Sequence, residues 1–233
     1  FLRSELSERH TEVPYQYQTL NRTEQLNNLE FVLGKLHQHN IVCANGRFHY
    51  YEGYEYNNVA IIIDVFKSLG CELVIMTNAS GCVVKEWKVG DLMLINGHLD
   101  YSFIKSNNNK AIVRDGWYDN SLLNQVKDIS EKIDVNLREG IYTWTTGPSY
   151  ETASEINEIK SLGGHAVGMS GLPEIERIHT LNMKMIGLCC LTNYASGISG
   201  KELTHSEVVE KAQNSHGSFI KLINAIIENI NLI

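Results

Sequence analysis

Three short apolar runs constrain the fold of this chain more than any other feature. They are Leu73-Val74-Ile75-Met76, Asp91-Leu92-Met93-Leu94-Ile95 and Met185 through Leu191. Each is strand-length and dominated by large apolar residues, as in strands buried on both faces. Around them the apolar residues change to helical spacing, from Asn58 to Leu69 before Gly70, over residues 119–136, and from Pro173 to about Leu181. Phe31-Val32-Leu33 and Ile41-Val42-Cys43-Ala44 read as two more strands around a turn. This alternation predicts an α/β domain, a mixed and mostly parallel β-sheet flanked by helices. Residues 1–28 carry no firm pattern. No repeat, linker or low-complexity segment divides the chain, so residues 1–233 read as a single domain.

The stretch from Gly147 to Ser170 reads as strand end, turn, helix and second strand. Gly147-Pro148 ends an apolar run, because proline has no N–H for a strand ladder. Thr152 with Glu155 spells a capping box, Ala153, Ile156, Ile159 and Leu162 recur at helical spacing, and Gly163-Gly164 stops the helix. A second capping box, Thr204 with Glu207, predicts a long terminal helix through Phe219, Leu222, Ile223, Ile226 and Ile230. Glu151 stands on the turn ahead of the first of these helices. There it can meet a ligand, or it can simply favour the positive end of the helix dipole.

In open α/β sheets ligands gather at the carboxyl ends of strands. Arg47/His49, the run Thr77-Asn78-Ala79-Ser80-Gly81, which reads as a polar loop at the carboxyl end of its strand, Glu151, Ser170 and Asn193 all fall at such places. Arg47 and His49, two apart on a strand, face the same side and can converge on one anion, since guanidinium offers a fork matched to phosphate oxygens. A surface arginine and a satisfied histidine beside a turn explain the same spacing.

Several chemistries are excluded or disfavoured. There is no P-loop and no Gly-x-Gly-x-x-Gly. Gly168-Met169-Ser170-Gly171-Leu172 misses the nucleophile elbow at its last position. The nine histidines include no helical His-x-x-x-His pair, so no metal site is expected. A net charge of −7 with no basic run argues against nucleic-acid binding. The five cysteines are scattered and odd in number, which suits reduced thiols in the cytoplasm. No run is long enough to span a bilayer, and no membrane partner is expected.

Five ordered segments carry a more specific signal: Gly46-Arg47-Phe48-His49-Tyr50-Tyr51-Glu52-Gly53-Tyr54, Met76 through Gly81, Gly147-Pro148-Ser149-Tyr150-Glu151-Thr152, Gly168-Met169-Ser170 and Leu191-Thr192-Asn193. Together they resemble the signature of the trimeric, low-molecular-mass purine nucleoside phosphorylases. The resemblance implies a nucleoside phosphorylase-like fold and phosphorolysis of 6-oxopurine nucleosides such as inosine and guanosine to free base and ribose 1-phosphate. Inorganic phosphate would be the co-substrate, with no metal or organic cofactor, and the assembly a homotrimer. Arg47, His49, Ser170 and the backbone of Ala79 would hold phosphate. Tyr51, Met169 and His205 would contact ribose, Tyr150 would stack on the base, and Asn78 would bridge these regions. Glu151 and Asn193 would bond the purine edge, and with His49 would form the catalytic set. Asn193 favours a 6-oxopurine, because the sibling subfamily that cleaves methylthioadenosine typically has Asp there.

The chain departs from that pattern at its phosphate end. No Gly-Ser-Gly-type loop precedes Arg47, Asn27 falls where the family has a histidine, and the segment after His98 is short and lacks an Arg-Phe-Pro-like stretch. Trp117 and Tyr118 lie near it without matching. Ser80-Gly81-Cys82 replaces Ala-Gly-Gly. The expectation is a domain truncated at its N-terminus, read first as an enzyme. The alternative is a shortened homologue that binds nucleosides or partners with little or no catalysis, and water in the phosphate position would give hydrolysis.

Overall fold

A computed structural model describes residues 29–104, 111–199 and 216–231. His205, the Thr204/Glu207 capping box and the polar run 106–110 lie outside the described residues.

Strands β1 (Glu30–Leu36) and β2 (His39–Asn45) pair antiparallel from Glu30 opposite Asn45 to Leu36 opposite His39. Phe31 of this hairpin packs with Phe48 and with Val59, Ile62 and Val65 in a small apolar cluster. Val59 ends the short helix α1 (Tyr56–Val59), and the other two lie on α2 (Ile61–Ser68). Gly70 follows α2 with φ at 81°.

The remaining strands are β3 (Leu73–Cys82), β4 (Leu92–Asp100), β5 (Leu137–Trp144), β6 (Ala166–Gly168) and β7 (Lys184–Tyr194). They close into a barrel in the order β3-β6-β5-β4-β7. The β3–β7, β4–β5 and β5–β6 pairs are parallel, and β3–β6 and β4–β7 antiparallel. The three apolar runs of the sequence are thus β3, β4 and β7, with β7 between the other two. Leu94, Ile95, Ile186 and Leu188 are fully buried there.

Helices α3 (Asn120–Lys132), α4 (Ala153–Ser161), α5 (Leu172–Thr180) and α6 (His216–Asn229) complete the chain. Asp119 caps α3 by accepting the N–H of Ser121 at 2.8 Å. Val126 of α3 and Leu222 and Ile226 of α6 are fully buried in the barrel's core cluster. Such a side chain stabilises the fold by roughly 2 kcal/mol. The Thr152–Glu155 capping box forms as the sequence predicts, with Thr152 N donating to Glu155 Oε2 at 2.7 Å.

Two local expectations change. The polar run Thr77 to Gly81 is not a loop, because β7 continues beside it and supplies the ladder as far as Cys82 opposite Tyr194. The register shifts between Ser80 and Gly81, where a side chain on Gly81 would lie 3.2 Å from Val167 Cγ1 and 3.3 Å from Asn193 Nδ2. Arg47 and His49 are not on a strand, since the hairpin ladder ends at Asn45. His49 is the extended residue that leads into a 3-10 turn at Tyr50–Glu52.

Candidate active site

A cavity of about 380 Å³ opens where the ends of β3, β6 and β7 meet the segment after β2 and the turn after β5. Arg47, His49, Tyr51, Asn78, Ala79, Tyr150, Glu151, Met169, Ser170 and Asn193 all line it. Ten residues from five separated segments therefore converge, and of the residues the sequence singled out only His205 falls outside the description.

One end is cationic. Arg47 Nη1 donates to the carbonyl of Thr77 at 2.8 Å and to Ser170 Oγ at 3.4 Å, while its Nε pairs with Glu174 Oε1 at 2.8 Å. The guanidinium is thereby locked against β3 and α5, and Arg47 lines the cavity with Ser170 beside it. Ser170 is fixed from behind. The hydroxyl of fully buried Tyr142 donates to its carbonyl, and burial holds that hydroxyl protonated by pushing its pKa well up. His49 is oriented by Glu52, with Nδ1 and Oε1 3.3 Å apart, and its ring stacks on Tyr51 at 4.9 Å. Ala79, exposed on the otherwise largely buried end of β3, brings backbone to the same end.

Glu151 and Asn193 bring a carboxylate and an amide to the same cavity. Glu151 stands on the turn before α4, and Thr145 Oγ1 donates to its Oε1 at 2.6 Å. At the end of β7, Thr192 Oγ1 donates to Asn193 Oδ1 at 3.0 Å, and Asn193 Nδ2 donates to the carbonyl of Tyr194 at 3.0 Å. Tyr51 and Tyr150, 40% and 50% exposed, offer two ring faces at the rim. Burial and then the nearby Glu52 charge raise the Tyr51 pKa, so this hydroxyl stays neutral.

Met169 packs over Gly147. A side chain on Gly147 would meet Met169 Sδ at 2.5 Å and Tyr51 Cδ1 at 2.8 Å, and its φ of 68° favours glycine independently. The Gly147–Pro148 peptide is cis.

Three contributors went unread in the sequence, Glu174, Tyr142 and Thr145, and Thr192 stood in the Leu191-Thr192-Asn193 segment without a role. Glu174 had a signal, because it stands three residues after Gly171 and caps α5 by accepting the N–H of Gly171 at 3.1 Å. The others had none, since each acts across the barrel or by a local turn. Among the described residues no group of three His, Cys, Asp or Glu side chains can hold a metal, and no helix is long and apolar enough to cross a membrane.

Chemically, the cavity can hold a small anion at Arg47 and Ser170, a hydrogen-bonding heterocycle at Glu151 and Asn193, and a group of intermediate polarity between them.

A family model for the phosphorylase superfamily matches residues 4–228. Purine nucleoside phosphorylase 1 of Geobacillus stearothermophilus is 38% identical over 209 residues, covering 86% of this chain and 76% of the relative. Its counterpart in Bacillus subtilis is 36% identical over 206 residues, covering 85% and 76%. Isoform 2 of purine nucleoside phosphorylase from Schistosoma mansoni, solved with cytosine and ribose-1-phosphate, superposes with a TM-score of 0.84 at 26% identity, covering 100% of this chain and 87% of its own. Another Schistosoma mansoni purine nucleoside phosphorylase, in complex with inosine, shares the fold at a TM-score of 0.80 and 24% identity, covering 91% and 80%. On its sequence, its barrel and the convergence of these segments, the chain belongs to the phosphorylase superfamily, among the purine nucleoside phosphorylases.

Proposed function

We propose that this pentosyltransferase cleaves 6-oxopurine nucleosides of the inosine and guanosine type by phosphorolysis, with inorganic phosphate as the second substrate. One observation carries the reading: Arg47 beside Ser170, Glu151, Asn193, Met169 and Tyr51 all line the same cavity.

In this reading phosphate sits against Arg47, Ser170, His49 and the Ala79 backbone. Its oxygen attacks C1′ of the ribose as the C1′–N9 bond breaks, and that bonding pair passes to the purine. The proton that hydrogen phosphate gives up on forming the ester ends on the purine, so the products are ribose 1-phosphate and the free base. Holding phosphate beneath the sugar supplies proximity. Glu151 accepts the N–H of the six-membered ring, and the Asn193 amide donates toward the negative charge that grows on the five-membered ring. A donor aimed at such charge is worth roughly 3 kcal/mol in the transition state. Tyr150 covers the base and His205 the 5′ end of the ribose. The family resemblance supports a homotrimer, which light scattering on the purified protein tests.

The deciding experiment incubates the protein with inosine, with and without phosphate, and separates the sugar products. Phosphate-dependent ribose 1-phosphate is expected. Equal cleavage to free ribose without phosphate would replace phosphorolysis by hydrolysis.

A further inference from the structure

Glu151 stands on an irregular turn, between half-exposed Tyr150 and the first residues of α4. A carboxylate there has several rotamers open to it, and each ordered side chain costs entropy. Among the described residues, one side chain bonds it: Thr145, whose Oγ1 donates to Oε1 at 2.6 Å. Thr145 is 7% exposed, follows the last residue of β5 and is not part of the cavity lining. Its own backbone is fixed, because its N–H donates to the carbonyl of Gly168 at 3.0 Å, next to Met169. The rigid end of the barrel thus reaches out through one hydroxyl to hold a group on a turn.

We infer that Thr145 is a positioning residue for base recognition, acting through Glu151. This rests on the base-site reading above. The hydroxyl has one proton, and giving it to Oε1 keeps that oxygen an acceptor and turns the carboxylate so that Oε2 faces the base. An acceptor in that place suits the ring N–H of a 6-oxopurine. The corresponding nitrogen of a 6-aminopurine carries a lone pair, and the fixed carboxylate repels it. Thr145 therefore contributes both affinity for the 6-oxo base and rejection of the 6-amino one, without touching either.

The test compares Thr145→Val, which keeps the shape and removes the hydroxyl, with Thr145→Ser, which keeps the hydroxyl, and with Thr145→Ala as a second hydroxyl deletion. Wild-type phosphate-dependent cleavage of inosine is measured first, and its absence overturns the phosphorolysis reading and this inference together. With that activity present, Thr145→Val is expected to raise the inosine KM on the order of tenfold, the scale of a lost hydrogen bond to a charge, with the phosphate KM unchanged. The inosine-to-adenosine ratio of kcat/KM should fall, and Thr145→Ser should restore both values. In a Glu151→Ala background Thr145→Val should have no further effect, since a residue acting through another is silent without it. An unchanged inosine KM in both deletion variants overturns the inference alone. So does a Thr145→Val effect that persists in full without Glu151, or a Thr145→Ser variant that behaves as Thr145→Val.

Discussion

Nε of Arg47 lies 2.8 Å from Oε1 of Glu174, and the second oxygen of that carboxylate accepts the N–H of Gly171 at 3.1 Å. One buried carboxylate thus closes the first turn of α5 and fixes the guanidinium at the cationic end of the cavity. Its position has two consequences. The fork of Arg47 is set before any anion arrives, and the anion site is tied to the stability of α5.

Glu174→Ala should therefore destabilise the fold and weaken phosphate binding together. The substitution leaves Arg47 without its counter-charge and Gly171 N without its cap, a loss of roughly 3 kcal/mol for breaking a largely buried pair. Glu174→Gln keeps the carbonyl for Gly171 and should lose less. Urea unfolding gives the stabilities, and the phosphate KM reports the guanidinium. Equal stability of wild type and Glu174→Ala would show that the pair is not coupled to α5.

At Gly147 the expectation is local. Gly147→Ala puts a methyl carbon 2.5 Å from Met169 Sδ at a backbone φ of 68°, so both the backbone and the Met169–Tyr51 contact must give way. The positive φ costs about 1 kcal/mol, with the overlap added. The nucleoside KM should rise more than the phosphate KM. An equal rise in both would place the damage elsewhere.

Asn193→Asp exchanges the amide donor for a second acceptor at the base end. Preference should move from inosine toward adenosine, whose 6-amino group donates to a carboxylate where the 6-carbonyl of inosine can only accept. Competition between the two nucleosides in one assay reads the ratio directly, and an unaltered ratio counts against Asn193 as a base contact.

Cys189 gives a pH prediction. Burial in the barrel, only partly offset by the nearby Ser80 hydroxyl, pushes its thiol from 9.0 up to about 12. Above pH 9.0 the unfolded chain loses this proton while the folded chain keeps it. The unfolded state then binds fewer protons, so stability falls as pH rises, by up to about 1.4 kcal/mol per pH unit for this group. Cys189→Ala should give a shallower decline of unfolding free energy above pH 9.0 than wild type, whatever its absolute stability. Parallel slopes would remove Cys189 as a source.

Much of this molecule is legible in its sequence wherever the cause is local. The Thr152–Glu155 box and the end of α4 before Gly163 depend on residues three or four apart, and they form as their spacing dictates. The apolar runs become β3, β4 and β7, since runs that are short, continuous and apolar suit strands buried on both faces. Where the cause is a neighbour far along the chain, the pattern misleads. Thr77 to Gly81 has loop composition and is strand, because β7 extends beside it. Arg47 and His49 share a cavity although they share no strand. Arg47 is turned by Glu174, and His49 by Glu52.

The sequence by itself determined which residue types this protein offers to a ligand and on which segments: a guanidinium and an imidazole after β2, a carboxylate before α4, a serine after β6 and an amide ending β7. Only the tertiary structure decided that β3 and β7 run in parallel, that the barrel closes, and that these segments therefore open into one cavity. It also decided which side chains stand behind them. Glu174, Tyr142 and Thr145 orient Arg47, Ser170 and Glu151 through hydrogen bonds and an ion pair, and two of those three contacts span the fold. Such contacts depend on distances between atoms that chain order does not encode. The ligand-facing chemistry is written along the chain, and its aim is set by packing.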